Sequence, residues 1–134
     1  MLDNKYATLR NRKLLPIGPW SLDPQSDMKR QVISDECKQY SWTIAWPVDA
    51  NENKAFLIEP WLLKISDVTL VLADLSFERP SCYFELGCVE ALNKTVAVIA
   101  SAGTPIHQTS HRDSVIFFSG LAEYRRVVRK LVST

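Results

Sequence analysis

Glycine is scarce in this chain: Gly18, Gly87, Gly103 and Gly120 are the only four in 134 residues. No G-x-G-x-x-G and no G-x-x-x-x-G-K-[ST] can be written from them, which excludes the usual dinucleotide fingerprint and the P-loop. There is no G-x-S-x-G, so a nucleophilic serine elbow is excluded as well. Cysteine is nearly as rare. Cys37, Cys82 and Cys88 are odd in number and form no C-x-x-C pair, so neither a disulfide framework nor a zinc site is indicated. They read as small apolar groups in a reduced protein, and the expected location is cytoplasmic. The two histidines, His107 and His111, share one loop with Asp113. Two histidines four apart face one ion only on a helix, and Thr104-Pro105 argues for a loop, so no metal and no cofactor are expected. Charge of one sign is lacking too. Sixteen Lys and Arg stand against fifteen Asp and Glu, a net charge of +1, so neither a nucleic-acid polymer nor a membrane surface is an expected partner. No apolar run approaches a membrane span, and the polar, charged first residues carry no signal-peptide core.

What is present is an alternation. With 46% hydrophobic and 23% charged residues, the chain reads as one globular domain, 1–134, able to bury a core. "KLLPIG" (13–18) predicts a first strand, stopped by Gly18-Pro19. Residues 26–40 predict a helix capped by Ser26 or Asp27, with Met28, Val32 and Ile33 toward the core. The β-branched and aromatic stretch 41–48 predicts a second strand. Residues 54–67 are helical in pattern, with Pro60 expected to start, kink or divide the helix. "VTLVLADL" (68–75) is an unbroken apolar run, as in the buried centre of a parallel sheet. A helix over 81–93, strands over 95–101 and 114–119, and an amphipathic helix over 121–132 follow. Basic residues cluster near the two ends, Arg10, Arg12 and Lys13, then Arg125, Arg126, Arg129 and Lys130, and read as solvated surface.

Five strands separated by helical segments predict an α/β fold, a five-stranded parallel sheet with helices on both faces in the flavodoxin-like order 2-1-3-4-5. Ligands in such sheets bind beyond the carboxyl ends of the strands, at the switch point between strands 1 and 3. The loops that meet there are 18–27 and 74–81. That places "ADLSFERPSCYFELGCVEAL" (73–92) at the ligand end, with Asp74 at a strand end and Glu85 in the first turn of the following helix. An acid there complements the helix dipole by about 0.3–1 kcal/mol. It is also expected to stay ionised, which suits a nucleophile and not a general acid. A capping box from Ser81 would need its acid at Phe84, one residue too early. Gly87, inside the helix, makes sense if backbone or ligand approaches closely.

Residues 73–100 resemble the central motif of the nucleoside 2-deoxyribosyltransferase-like superfamily, which includes nucleotide N-glycosidases. The pattern there is a strand ending in Asp, a polar loop, a helix opening Tyr/Phe-Glu-x-Gly, and Gly-Lys-Pro-Val entering the next strand. Here it reads Asp74, Phe84-Glu85-Leu86-Gly87 and Asn93-Lys94-Thr95-Val96, and "IGPW" (17–20) is similar to the family's Gly-Pro-aromatic loop. The resemblance implies that Glu85 attacks the anomeric carbon of a (deoxy)nucleoside or nucleoside 5′-monophosphate and displaces the base. The sugar ester then passes to another base (transferase) or to water (hydrolase). It implies a second catalytic role for Asp74, near the departing base. The alternative for Asp74 is a turn cap that accepts backbone N–H bonds.

Six residues before the Glu, the deoxyribosyltransferases carry an Asp that holds the sugar 5′-hydroxyl. Arg79 stands at that position here. It cannot accept that bond, but it can grip a phosphate through a bidentate fork. This leans toward a nucleoside monophosphate, with solvated loop residue as the alternative. The expected substrate-binding set is Gly18, Pro19, Trp20, Ser76, Arg79, Ser81 and Tyr83. Within it, Trp20 either stacks on a base or packs at the core rim, and Tyr83 either bonds Glu85 or is buried. The loop 101–113 is either plain surface or part of a neighbour's pocket, since the family often completes its site across a dimer. A homodimer or larger assembly is expected. Two other functions stay open: a non-catalytic nucleotide-binding or signalling module, and a TIR-like NAD-cleaving domain.

Overall fold

The computed structural model describes residues 12–47 and 57–134. Five parallel strands form one sheet: β1 (Lys13–Ile17), β2 (Thr43–Ile44), β3 (Leu70–Asp74), β4 (Val96–Ser101) and β5 (Ile116–Phe118), in the order β2-β1-β3-β4-β5. Four helices lie between and after them: α1 (Ser26–Gln39), α2 (Ile58–Lys64), α3 (Pro80–Ala91) and α4 (Gly120–Val132). The flavodoxin-like α/β fold read from the alternation is the fold observed.

The strand period of two divides the core. Leu14, Leu70, Leu72, Ile99 and Phe118 face α1 and α4, where Val32, Ile33, Tyr124 and Val128 close on them. Leu15, Ile17, Val71, Ala73, Val98 and Ala100 face the other way, against Ile65 behind α2 and against Cys82, Leu86 and Val89 of α3. Every residue of β3 is buried, as its unbroken apolar run requires.

A proline stands inside β1, which is paired on both sides, and β2 is shorter than the expected 41–48. The two facts are linked. Leu14 bonds toward β2, its carbonyl accepting from the Ala45 N–H at 2.7 Å. Pro16, two residues on, faces the same side, where β2 has already ended at Ile44. Its missing N–H therefore costs no ladder bond. Its carbonyl accepts instead from the Trp20 indole at 3.2 Å.

Three further expectations are corrected. The buried face of α1 is Lys29, Val32, Ile33, Glu36 and Cys37, while Met28 is 51% exposed. Two charged residues thus occupy core positions, because each finds charged partners there. The residue capping α1 is Gln25, with no side-chain cap bond, and not Ser26 or Asp27. Much of the basic surface is also engaged: Lys13 pairs with Asp67 at 3.1 Å, Arg12 lies over Trp42, and Arg125 and Arg129 reach Glu36. Arg10 lies outside the described residues, as do residue 48 of the predicted second strand and residues 54–56 of the predicted helix. The described helix there, α2, carries Pro60 in its first turn, where the ring is tolerated.

Candidate functional site

The loops after β1, β3 and β4 converge beyond the carboxyl ends of the strands. The loop after β1 begins tightly. Gly18 lies under Trp20, so that an added Cβ would meet the indole ring at 3.2–3.5 Å. Pro19 is buried, and its carbonyl accepts from the N–H groups of Leu22 and Asp23, both at 2.9 Å. Trp20 is a rim aromatic. It packs on the α1/α4 side of the core, edge-on to Trp46, with the Arg30 guanidinium 5.0 Å over its ring.

The loop after β3 is strained. Phe77 and Glu78 are consecutive non-glycine residues with φ of 66° and 54°. Left-handed backbone costs such residues about 1–2 kcal/mol each. Side-chain bonds hold the segment in place. Asp74 Oδ1 accepts from the Ser76 N–H at 3.0 Å, and Glu78 pairs with His107 Nε2 at 2.8 Å. Ser76 is fully buried, and its hydroxyl accepts from the Ser101 N–H at 2.8 Å, tying this loop to the end of β4.

Asp74 was expected beside a departing base. It is 2% exposed and both its oxygens are engaged, Oδ1 by Ser76 and Oδ2 by the Lys29 ammonium at 3.2 Å. The turn-capping alternative describes its geometry. Lys29 also bonds Asp23, itself 8% exposed, and stands 5.0 Å and 5.4 Å from the ring centres of Phe118 and Tyr124. The Tyr124 hydroxyl is buried with no hydrogen-bond partner among the described residues. Burial, then the negative charges of Asp74 and Asp23, push it well above the usual tyrosine range, so the phenol stays neutral.

Helix α3 starts at Pro80, one residue earlier than expected, and Ser81 is exposed at its start. Glu85 is therefore its sixth residue and lies in the second turn, beyond the reach of the helix dipole. The ionisation argument is corrected accordingly. Burial pushes the Glu85 carboxyl above its ordinary value of 4.5, and the Arg79 charge opposes that shift. Arg79 donates through Nη1 to Ser21 Oγ, bridging the loops after β3 and β1. Arg79 and Glu85 are thus neighbours electrostatically, and the Arg79–Ser21 bond spans the switch point.

Tyr83 does not bond Glu85. Its hydroxyl accepts from the His107 N–H at 2.9 Å, and its ring meets His107 edge-on at 5.5 Å. The loop after β4 is held further by Glu90, which meets His111 Nδ1 at 2.7 Å and Thr109 Oγ1 at 2.8 Å. Loop 102–115 thus folds onto the 3-10 turn at Ser76–Glu78 and onto α3 of its own chain. Around Gly87 no other protein element approaches closely: an added Cβ would meet nothing within 4 Å.

No group of three or more His, Cys, Asp or Glu side chains able to hold a metal ion occurs among the described residues. The cysteines are free. Burial pushes the Cys37 and Cys82 thiols up to about 11 and about 12, so neither is a nucleophile. No helix among the described residues is long and apolar enough to cross a membrane. A groove of about 630 Å³, lined by Leu70, Ile116, Arg126, Val127, Lys130, Leu131 and Thr134, lies at the opposite end of the sheet, beside the first residues of β3 and β5.

Two residues at the ligand end were not singled out in the sequence. Ser21 carries no pattern of its own. Lys29 reads as a solvent-facing helix residue, and the signal available was its place at i, i+3, i+4, i+7 and i+8 with Val32, Ile33, Glu36 and Cys37.

No family model matches the chain, and no curated protein matches it. Among solved structures, the chain is similar to the CMP N-glycosidase BcmB of Clostridium botulinum, at 12% identity and a TM-score of 0.54, over 92% of this chain and 100% of that one. The two proteins share their fold along nearly their whole lengths.

Proposed function

We propose that the protein cleaves the N-glycosidic bond of a nucleoside 5′-monophosphate, with Glu85 as nucleophile and Arg79 as the phosphate-binding residue. The observation that carries this reading is a partly buried carboxyl within the electrostatic reach of an arginine that bridges the switch point, in a fold shared with a CMP N-glycosidase. A carboxylate beside the anomeric carbon stabilises an oxocarbenium-like transition state and traps the sugar. A Glu85 oxygen bonds to C1′ as the C1′–N bond breaks, and the electron pair leaves with the base, which takes up a proton. Water then attacks the ester. Its hydroxyl stays on the sugar, its proton is released, and the Glu85 carboxylate is restored.

The raised pKa of Glu85 fits a site that must desolvate its nucleophile. Arg79 serves twice in this reading: its charge opposes the upward shift of the Glu85 carboxyl and it offers a fork to the 5′-phosphate. Trp20, held between Gly18 and the Arg30 guanidinium, shapes the rim and is assigned no stacking on the base. Asp74, with both oxygens occupied, sets the turn that carries Arg79 and is assigned no proton transfer.

The test is incubation with cytidine 5′-monophosphate, its deoxy form, cytidine and NAD, with released base followed by chromatography. Release of cytosine from the monophosphates in preference to cytidine is the expected result. Nicotinamide as the only product would move the assignment to an NAD-cleaving enzyme. Absence of any released base would leave a nucleotide-binding module. Arg79→Ala should weaken monophosphates by about 1.5–3 kcal/mol, the scale of a charged hydrogen bond, and leave cytidine nearly unchanged.

A further inference from the structure

The Asp23–Lys29–Asp74 cluster is built with a symmetry that stability alone does not explain. Each aspartate divides its two oxygens. Asp23 Oδ1 accepts from the Gln25 N–H at 2.8 Å and its Oδ2 meets the Lys29 ammonium. Asp74 Oδ1 accepts from the Ser76 N–H at 3.0 Å and its Oδ2 meets the same ammonium at 3.2 Å. One oxygen of each fixes the turn that follows its own strand, and the other is given to a shared cation. The rest of the ammonium faces the rings of Phe118 and Tyr124, at the ends of the core contributed by β5 and α4. The three side chains are each no more than 4% exposed. Such a cluster is costly to desolvate, and well-packed apolar residues often do as well or better for stability.

What the cluster does in the fold is join two loops. Asp23 is two residues after Ser21, and Asp74 is five residues before Arg79, and the Arg79–Ser21 bond crosses the same gap. We propose that Lys29 is a positioning residue, a buried latch whose single ammonium sets the separation of the loops after β1 and β3, and so the placement of Ser21 and Arg79 at the candidate site. The catalytic half of this inference rests on the function proposed above; the coupling of the two loops does not.

Amide hydrogen exchange at Gln25 and Ser76 tests the coupling. Both amides should lose at least tenfold of their protection in Lys29→Met, although they lie 51 residues apart, while the Val71 amide in β3 keeps its own. The double variant Lys29→Met/Asp23→Asn keeps the net charge of the cluster and both turn-forming acceptors, so it serves if the single variant does not fold. Retained protection at either Gln25 or Ser76 in a folded variant overturns the latch. The second readout is kinetic, with cytidine 5′-monophosphate as substrate. The KM should rise at least tenfold and kcat should change less than threefold, since Glu85 itself is untouched. Unchanged KM with both amides deprotected would make Lys29 a structural residue and overturn the positioning role. If the wild-type protein neither cleaves nor binds the nucleotide, the proposed function fails, and the exchange result alone decides the coupling of the loops.

Discussion

Lys29 and Glu36 lie two turns apart on the buried face of α1, and they show two ways of placing a charge in a core. Glu36 sits between α1 and α4. Arg129 reaches it at 2.7 Å and Arg125 at 3.4 Å, and both arginines keep a third or more of their side chains in solvent. This is a clamp between two helices, with one buried end and one wet end. The Lys29 cluster is buried throughout, and its two carboxylates come from the loop after β1 and the end of β3 and not from a neighbouring helix. A charge that braces helices can lean on solvent. A charge that fixes ligand loops is enclosed, so that its geometry has no alternative. The difference separates an architectural ion pair from one placed for the site.

The largest predicted effect breaks the buried cluster. Lys29→Met leaves two carboxylates buried without their cation and should cost about 3–5 kcal/mol, read from denaturant unfolding. A loss no greater than that of Arg129→Ala would erase the contrast between the two sites. Arg129→Ala itself should lower the unfolding midpoint by less, because Arg125 still reaches Glu36 and water reaches the rest.

The pH dependence sharpens the same contrast. The Arg129 and Arg125 bonds hold the Glu36 carboxyl below its ordinary 4.5. Its contribution is therefore present above pH 4.5 and lost as pH falls through the lowered folded value. Glu36→Gln should flatten the acid limb of the stability profile. Glu85 has the opposite sign. Its raised pKa means that stability falls as pH rises from 4.5 through the folded value, so Glu85→Gln should be at least as stable as the wild type at pH 7. In the proposed reaction, activity should appear as pH rises through that same value. Arg79→Ala should move this limb to higher pH, since the charge that opposes the upward shift is gone.

The smallest effect concerns Gly87. With open space around it in the interior of α3, Gly87→Ala should raise stability by about 0.5–1 kcal/mol. A fall in base release in that variant would place substrate against this turn.

The sheet was legible because its signals are local. The unbroken run 68–75 marks a strand buried on both faces, and the alternating α/β pattern leaves few orders for five strands. The switch point followed from the order alone. The placement of charge was less legible, for a physical reason. Helix periodicity in α1 was read through Met28, whose apolarity outweighed the register that buries Lys29, and the lysine's partners lie 6 and 45 residues away in sequence. Asp74 announced itself as a strand-end carboxylate, but nothing local shows that both its oxygens are occupied. Glu85 was read into the first turn although it is the fifth residue even from Ser81; with Pro80 opening the helix it is the sixth, in the second turn. The short β2 was overextended, since its aromatic and β-branched residues read as strand beyond the point where Pro47 and the rim tryptophans take over.

The most direct measurement of the proposed function is base release from cytidine 5′-monophosphate by the wild-type protein and by Glu85→Gln, each checked for folding by thermal unfolding. The wild type should release cytosine, and the variant should be slower by several orders of magnitude while unfolding at the same temperature or higher, because only the nucleophilic carboxylate has been removed. A folded Glu85→Gln protein that releases cytosine at the wild-type rate would contradict the account.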